Sequence, residues 1–224
     1  MQYLLYIVAA FLLGSCQAPT NNGSVAASSL TVEPSSFTDA QKAELDTATF
    51  AGGCFWCTEA VFERTKGVVS VVSGYAGGDT PDPTYQEVSA GRTNYAEAVQ
   101  VYYDPEVVTY ADLVKVYYGT IDPTQVDGQG PDIGKQYRSV VFYQGPEQEK
   151  IAEAYQAELS ASGKYDKPIA VKIQPYSNFY PAEDYHQNYY DNNPSNPYVQ
   201  SVAVPKVKKF EKNFPDLLRE KSSS

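Results

Sequence analysis

An α+β fold is what this sequence predicts. Short strand-like runs stand at Thr47–Ala51, Val68–Val72, Ala98–Tyr103 and Ser139–Tyr143. Helical patterns stand at Phe55–Arg64, Tyr110–Tyr118 and Pro146–Ser162. The two kinds of element are mixed but do not alternate strictly, which separates the chain from doubly wound α/β folds.

Each element has a local reason. Thr47–Ala51 is ended by Gly52-Gly53, and the next helix carries Val61 and Phe62 as core candidates until Gly67 stops it. Val68–Val72 is β-branched, the composition that a pleated sheet surface favours. Gly74–Asp79 is rich in glycine and reads as a turn. Ala98–Tyr103 sets Val99, Val101 and Tyr103 on one face, the two-residue period of a strand. In Pro146–Ser162, Ile151, Ala154, Tyr155 and Leu159 form one stripe, and Pro146 stands at the start, where its missing N–H costs nothing. Ile169, Val171 and Ile173 alternate as another strand. Residues 175–198 read as a long Pro/Asn/Tyr loop, and a loop of that length inside a domain is usually functional or disordered. Lys206–Glu220 reads as a packed, basic terminal helix, and no internal repeat is visible.

Composition removes several classes of function. A chain of 224 residues with 42% apolar content suits one domain with its own core plus tails. The net charge of −10 argues against a nucleic-acid partner, which requires a basic face. The single histidine, His186, excludes any site built from several. The 20 tyrosines combine apolar area with a hydroxyl, so most serve packing and those near the cysteines are open to chemistry.

The N-terminus is a separate object. Tyr3–Leu13 is apolar, too short to span a bilayer comfortably, and ends in Leu13-Gly14-Ser15-Cys16. This resembles a bacterial lipobox closing a signal peptide over residues 1–16, although no Lys or Arg stands near Met1. An ordinary signal peptide with a coincidental cysteine is the alternative. Lipidation of Cys16 would hold an exported protein on a membrane of the bacterial cell envelope, and Gln17 leans towards the outer membrane. Residues 17–42 are rich in Ser, Thr, Ala, Asn and Pro and read as a flexible tether, leaving 43–221 as the folded domain.

The stretch Ala51-Gly-Gly-Cys54-Phe55-Trp56-Cys57 carries two of the three cysteines. Structural zinc needs four ligands, and the chain offers too few. An inert disulfide across two residues closes a tiny loop and removes little unfolded-state entropy. A redox pair has positive support. Strand, then Gly-Gly, then cysteine at a helix start is an arrangement that lowers a thiol pKa through free N–H groups and the helix dipole. Cys54 is thus the candidate nucleophile, and Cys57 lies on the same helix face to close a disulfide. The spacing alone equally fits a thioredoxin-type disulfide exchanger.

The longer string decides between these. Gly53-Cys54-Phe55-Trp56-Cys57-Thr58-Glu59 resembles the signature of the A-type peptide methionine sulfoxide reductases. Gly74-Tyr75-Ala76-Gly77-Gly78, Pro83–Val88, Tyr95–Val99, Gly130–Ser139 and Ala182–Gln187 resemble further motifs of that family, in order. Several ordered motifs are far more specific than one. The resemblance spans roughly residues 47 to 215. It implies a two-layer α/β sandwich, a ferredoxin-like roll on a mixed central sheet with a long C-terminal loop.

It also implies a chemistry. Cys54 attacks the sulfur of the S epimer of methionine sulfoxide, protein-bound or free. Glu97, with its pKa raised by desolvation, protonates the oxygen. Tyr85 and Tyr137 hold that oxygen. Phe55 and Trp56 wall the methyl group, with core packing as the alternative for Phe55. Asp132 positions a water or a substrate group. A sulfenic acid remains on Cys54, Cys57 condenses with it, and a thioredoxin-like donor restores the dithiol. No cofactor or metal is required, and a monomer is expected. Two departures from the family pattern stand out: Tyr95 replaces a usual histidine, and Val199 stands where many members carry a resolving cysteine. Cys57 occupies a usual glycine position and compensates for the second. The rival readings are a CxxC thiol-disulfide oxidoreductase and a surface lipoprotein that only binds methionine-rich partners.

Overall fold

The computed structural model describes residues 44–220. The leader, Cys16 and the tether therefore lie outside the described residues, as does Ala43 at the expected domain start. Eight strands are present among them: β1 (Asp46–Gly52), β2 (Val68–Ala76), β3 (Ala96–Tyr103), β4 (Gly128–Gln129), β5 (Asp132–Ile133), β6 (Ser139–Tyr143), β7 (Lys172–Pro175) and β8 (Phe179–Pro181). Strands β4 and β5 pair only with each other, and the other six form a sheet of order β7-β6-β1-β3-β2-β8. Only β6 and β7 run parallel, so the sheet is mixed. Six α-helices accompany them: α1 (Phe55–Glu63), α2 (Tyr85–Ser89), α3 (Tyr110–Thr120), α4 (Pro146–Ala161), α5 (Tyr189–Asn192) and α6 (Val204–Asn213).

The two-residue period of the strands divides the sheet into two faces. Phe50, Val99, Val101 and Val141 face the helices and join the main core with Phe62, Leu113 and Phe210. Ala51, Ala96, Ala98, Val140 and Phe142 face the other way, where Tyr176 and Phe179 cover them. Glu97 shares the phase of Val99 and Val101, so its carboxyl lies on the helix side. The helices start where local chemistry dictates. Thr84 with Glu87 and Thr109 with Asp112 form capping boxes for α2 and α3.

Several expectations are corrected. Gly74-Tyr75-Ala76 is not a turn: it continues β2, paired with β3 through Tyr75–Glu97 and with β8 through Tyr75–Tyr180. The strand expected over Ile169–Ile173 begins only at Lys172, because the Ala170 N–H donates to the Pro123 carbonyl (2.7 Å) outside the sheet. The loop over 175–198 contains β8, a 3-10 turn and α5. The terminal helix starts at Val204, stops at Asn213 and is followed by a 3-10 turn at Pro215–Leu217. In α4, Ala154 is exposed and Ala152 is the buried small residue. The family departure at Tyr95 is structural. Its ring fills the space beside Gly78, where a Cβ would stand 2.4 Å from it, and its hydroxyl donates to the Thr80 carbonyl (2.6 Å).

Phe50 on β1 stacks on Phe62 and Tyr117, each at 5.1 Å between ring centroids. Phe50→Ala removes the ring that joins β1, α1 and α3. Unfolding in denaturant is expected to show a loss of about 3–5 kcal/mol.

Candidate active site

The site begins at the junction of β1 and α1. Gly53 has φ +84°, and a Cβ there would stand 2.6 Å from Cβ of Gln129. Gln129 cannot yield easily, since its amide donates to the Asp122 carbonyl (2.7 Å) and to Ser139 Oγ (2.9 Å). Glycine is thus required for both backbone sign and space. The turn delivers Cys54 as the residue capping α1 and Cys57 one turn later, both unbridged. They are 7% and 2% exposed.

Glu97, 2% exposed, reaches across from β3. Its Oε2 accepts the Phe55 N–H at 3.1 Å. Burial lifts its pKa to about 8, the Phe55 bond opposes that, and charge at Asp132 and Cys57 adds to it. This bond also overturns one expectation. The N–H group at the start of α1 serves Glu97, so it does not lower the Cys54 pKa. Burial pushes the Cys54 thiol up, as do its hydrogen bond to Cys57 and the Glu97 charge. Cys57 moves down, because it accepts that bond and lies near the Lys206 ammonium.

The remaining expected residues converge on this centre. Tyr85 opens α2, and its N–H donates to Glu183 Oε1 (3.0 Å), while Glu183 Oε2 accepts the Tyr75 hydroxyl (2.8 Å). Burial, then the charges of Glu97 and Cys54, push the Tyr85 hydroxyl up to about 12. Tyr137 is pushed up by burial and by Glu97, Tyr85 and Cys54. Trp56 is half-buried, donates its Nε1–H to His186 Nδ1 (3.1 Å) and stacks on Tyr189 at 3.7 Å. Phe55 is wholly inside, 5.1 Å from the His186 ring and 6.0 Å from Tyr75, so it backs the wall more than it lines it. Asp132 on β5 accepts the Tyr198 hydroxyl (2.6 Å); burial pushes its pKa up, and Tyr198, Lys206 and the Cys54 backbone N–H oppose that.

Two residues beside the thiols had escaped the sequence pattern. Tyr198 sits with its hydroxyl 3.8 Å from Cys57 Sγ and its ring edge-on to Trp56 (5.8 Å). Lys206 on α6 is half-buried, and its Nζ donates to the Gly52 carbonyl (2.9 Å) and to Thr58 Oγ1 (3.4 Å). Burial pushes its pKa down, and charge at Cys57, Cys54 and Asp132 opposes that. A lysine one residue before Val207 in an amphipathic run was the available signal. Nothing marked Tyr198. Away from the aromatic wall, a cavity of about 290 Å³ reaches both thiols and is lined by Gln129, Asp132 and Lys206. Among the described residues no cluster of three or more His, Cys, Asp or Glu could hold a metal ion.

Two adjacent thiols and a buried acid, with two tyrosyl hydroxyls beside them, define a thiol-dependent oxidoreductase. The family model for peptide methionine sulfoxide reductase matches residues 46–218. Peptide methionine sulfoxide reductase MsrA of Thermus thermophilus is 52% identical over 172 residues, covering 77% of this chain and 97% of that protein. Methionine sulfoxide reductase A of Corynebacterium diphtheriae superposes with a TM-score of 0.61 at 41% identity, covering 68% of this chain and 77% of that one. Reduced Mxr1 of Saccharomyces cerevisiae gives a TM-score of 0.61 at 37% identity, covering 69% of this chain and 88% of that one. The chain belongs to the peptide methionine sulfoxide reductase family and is an oxidoreductase that reduces methionine sulfoxide. The disulfide-exchange alternative is not favoured.

The Glu97 shift has a consequence for stability. A carboxyl whose folded pKa is raised stabilises fully below its unfolded pKa, and that contribution is lost as pH rises through the folded value of about 8. Glu97→Gln carries no such charge and keeps an oxygen for the Phe55 N–H. Melting curves are expected to show the variant gaining on the parent as pH rises from about 5 to about 9. A gap independent of pH would contradict the buried titration.

Proposed function

We propose that Cys54 is the nucleophile, Glu97 the acid and Cys57 the resolving thiol in reduction of the S epimer of methionine sulfoxide, in proteins and free. The observation that carries this reading is the Glu97–Phe55 bond, which seats a proton-retaining carboxyl at the start of the cysteine helix. Both Cys54 and Glu97 hold their protons more tightly than usual. Proton transfer is therefore part of the attack. Glu97 gives its proton to the sulfoxide oxygen while the Cys54 thiol's proton passes to Glu97. The S–O bond of the substrate breaks, methionine leaves, and Cys54 carries the S–OH group. Tyr85 and Tyr137 hydroxyls hold the oxygen, and Trp56 walls the methyl group with Phe55 behind it. The S epimer follows from the A-type motifs of the sequence.

Cys57 then forms the disulfide, which a thioredoxin-like dithiol reduces. No other thiol among the described residues can pass the oxidation on. One chain supplies every residue named, in keeping with a monomer. In the proposed organisation the domain is exported, lipid-anchored through Cys16 in a bacterial cell envelope and held off the membrane by residues 17–42. Supporting this are the apolar run Tyr3–Leu13 and its Leu-Gly-Ser-Cys ending. Among the described residues no helix is long and apolar enough to cross a membrane.

Dithiothreitol-driven reduction of the two epimers tests the chemistry. The S epimer is expected to be consumed and the R epimer left; Cys54→Ser is expected to abolish turnover. With thioredoxin, Cys57→Ser is expected to yield about one methionine per enzyme. Consumption of neither epimer, or turnover by Cys54→Ser, refutes the reading.

The anchor is tested separately. Full-length protein is expected in the membrane fraction of a bacterial host, and Cys16→Ala in the soluble fraction. Unchanged partitioning counts against lipidation.

A further inference from the structure

The step that closes the disulfide requires the Cys57 proton to leave its sulfur and a proton to reach the departing hydroxyl of Cys54. We propose that Tyr198 and Asp132 carry that proton: Cys57 S–H passes its proton to Tyr198, Tyr198 passes its own to Asp132, and Asp132 delivers one to the departing hydroxyl. This rests on Cys57 as the resolving thiol.

The hydrogen bonds already point that way. The Tyr198 hydroxyl lies 3.8 Å from Cys57 Sγ and donates to Asp132 Oδ2 at 2.6 Å. With its proton turned towards Asp132, its oxygen is free to accept from Cys57. The far end of the path is also in place, since Asp132 and Cys54 line the same cavity and the Cys54 backbone N–H helps to hold the Asp132 carboxyl's pKa down. Asp132 thus stands at the residue that bears the S–OH group. Glu97 is held by Phe55 on the β3 side, and its assigned transfer is complete once methionine leaves. The Lys206 ammonium, in the cavity beside Asp132, favours a negative sulfur at Cys57.

The balance closes. The Cys57 S–H bond and the Cys54 S–O bond break, and an S–S bond and a water O–H bond form. Cys54 sulfur is reduced and Cys57 sulfur oxidised, and Tyr198 and Asp132 return to their starting states. Nothing outside the site is consumed. The cavity lined by Cys54, Cys57 and Asp132 gives the water room to depart.

Tyr198→Phe and Asp132→Asn each interrupt the path, and the first keeps the ring that meets Trp56. After one addition of methionine sulfoxide without reductant, methionine release and disulfide formation are followed separately by quenching and mass spectrometry. Both variants are expected to form the Cys54–Cys57 disulfide about 100-fold more slowly, and Tyr198→Phe is expected to release methionine within a few-fold of the parental rate. The S–OH intermediate is expected to accumulate and be trapped by dimedone. In Tyr198→Phe the disulfide step is expected to gain about tenfold per pH unit near neutrality, as Cys57 must ionise to solvent; the parental step is expected to vary far less. Disulfide formation at the parental rate in both variants overturns the relay, and so does equal slowing of methionine release in Tyr198→Phe. Absence of the disulfide in the parent instead refutes Cys57 as resolver.

Discussion

One hydrogen bond organises the catalytic half of this molecule: the Phe55 N–H of α1 to the Glu97 carboxyl of β3, across 42 positions of sequence. A helix start presents N–H groups without helical partners, and a buried carboxyl needs donors, so each end solves the other's problem. The bond fixes the distance between the helix that carries both thiols and the strand that carries the acid. It also explains the order of pKa values. Glu97 receives only one donor against full burial, so it stays high. Cys54 is buried and lies next to Cys57 and Glu97, so it stays high as well.

The aromatic shell follows from that arrangement. Glu183 holds both Tyr75 beneath the site and the backbone of Tyr85 above it, through its two oxygens. His186 accepts from the Trp56 indole and packs against Phe55 and Tyr85. Together they hold Tyr85 and Trp56 against one buried histidine. The Ala182–Gln187 motif therefore acts by positioning, and Gln187 completes it by bonding to both the N–H (2.9 Å) and the carbonyl (3.0 Å) of Ser73 on β2. A segment that reads as a loop is held to the sheet at its edge and under its active-site wall.

How much of this was legible depends on the range of the interaction. The strand at Ala98–Tyr103 was visible from alternation, and the same alternation carried two residues back puts Glu97 in phase with Val99 and Val101, on the core side. Its burial was therefore implicit in the local pattern. The course of β2 was not, because Gly74 and Tyr75 look like turn residues until β3 and β8 are known to flank them. Ile169–Ile173 alternates correctly, yet Ala170 is tied to Pro123, a competition that no local pattern reveals. Tyr198 and Lys206 lie 141 and 149 positions after Cys57 and enter the site only through the packing of α6, and of the π-helical turn Val199–Ala203 before it, against α1. Periodicity reports which face a residue occupies; it is silent on which distant residue shares it.

The same packing gives the two thiols unlike surroundings. Cys54 lies near the Glu97, Tyr85 and Tyr137 groups, where a proton is retained and an oxygen can be protonated. Cys57, one helical turn on, faces Lys206 and the Tyr198–Asp132 pair, where negative charge is tolerated and a proton has somewhere to go. A glycine at position 57 would leave those three groups with Cys54 as their one thiol neighbour. Placing cysteine there gives the Tyr198 hydroxyl a sulfur neighbour and needs no further change in the chain, because the side chain fits into a core where it is 2% exposed. The attack step and the resolution step thus draw on neighbouring groups of one site, in which Tyr198 touches both thiols.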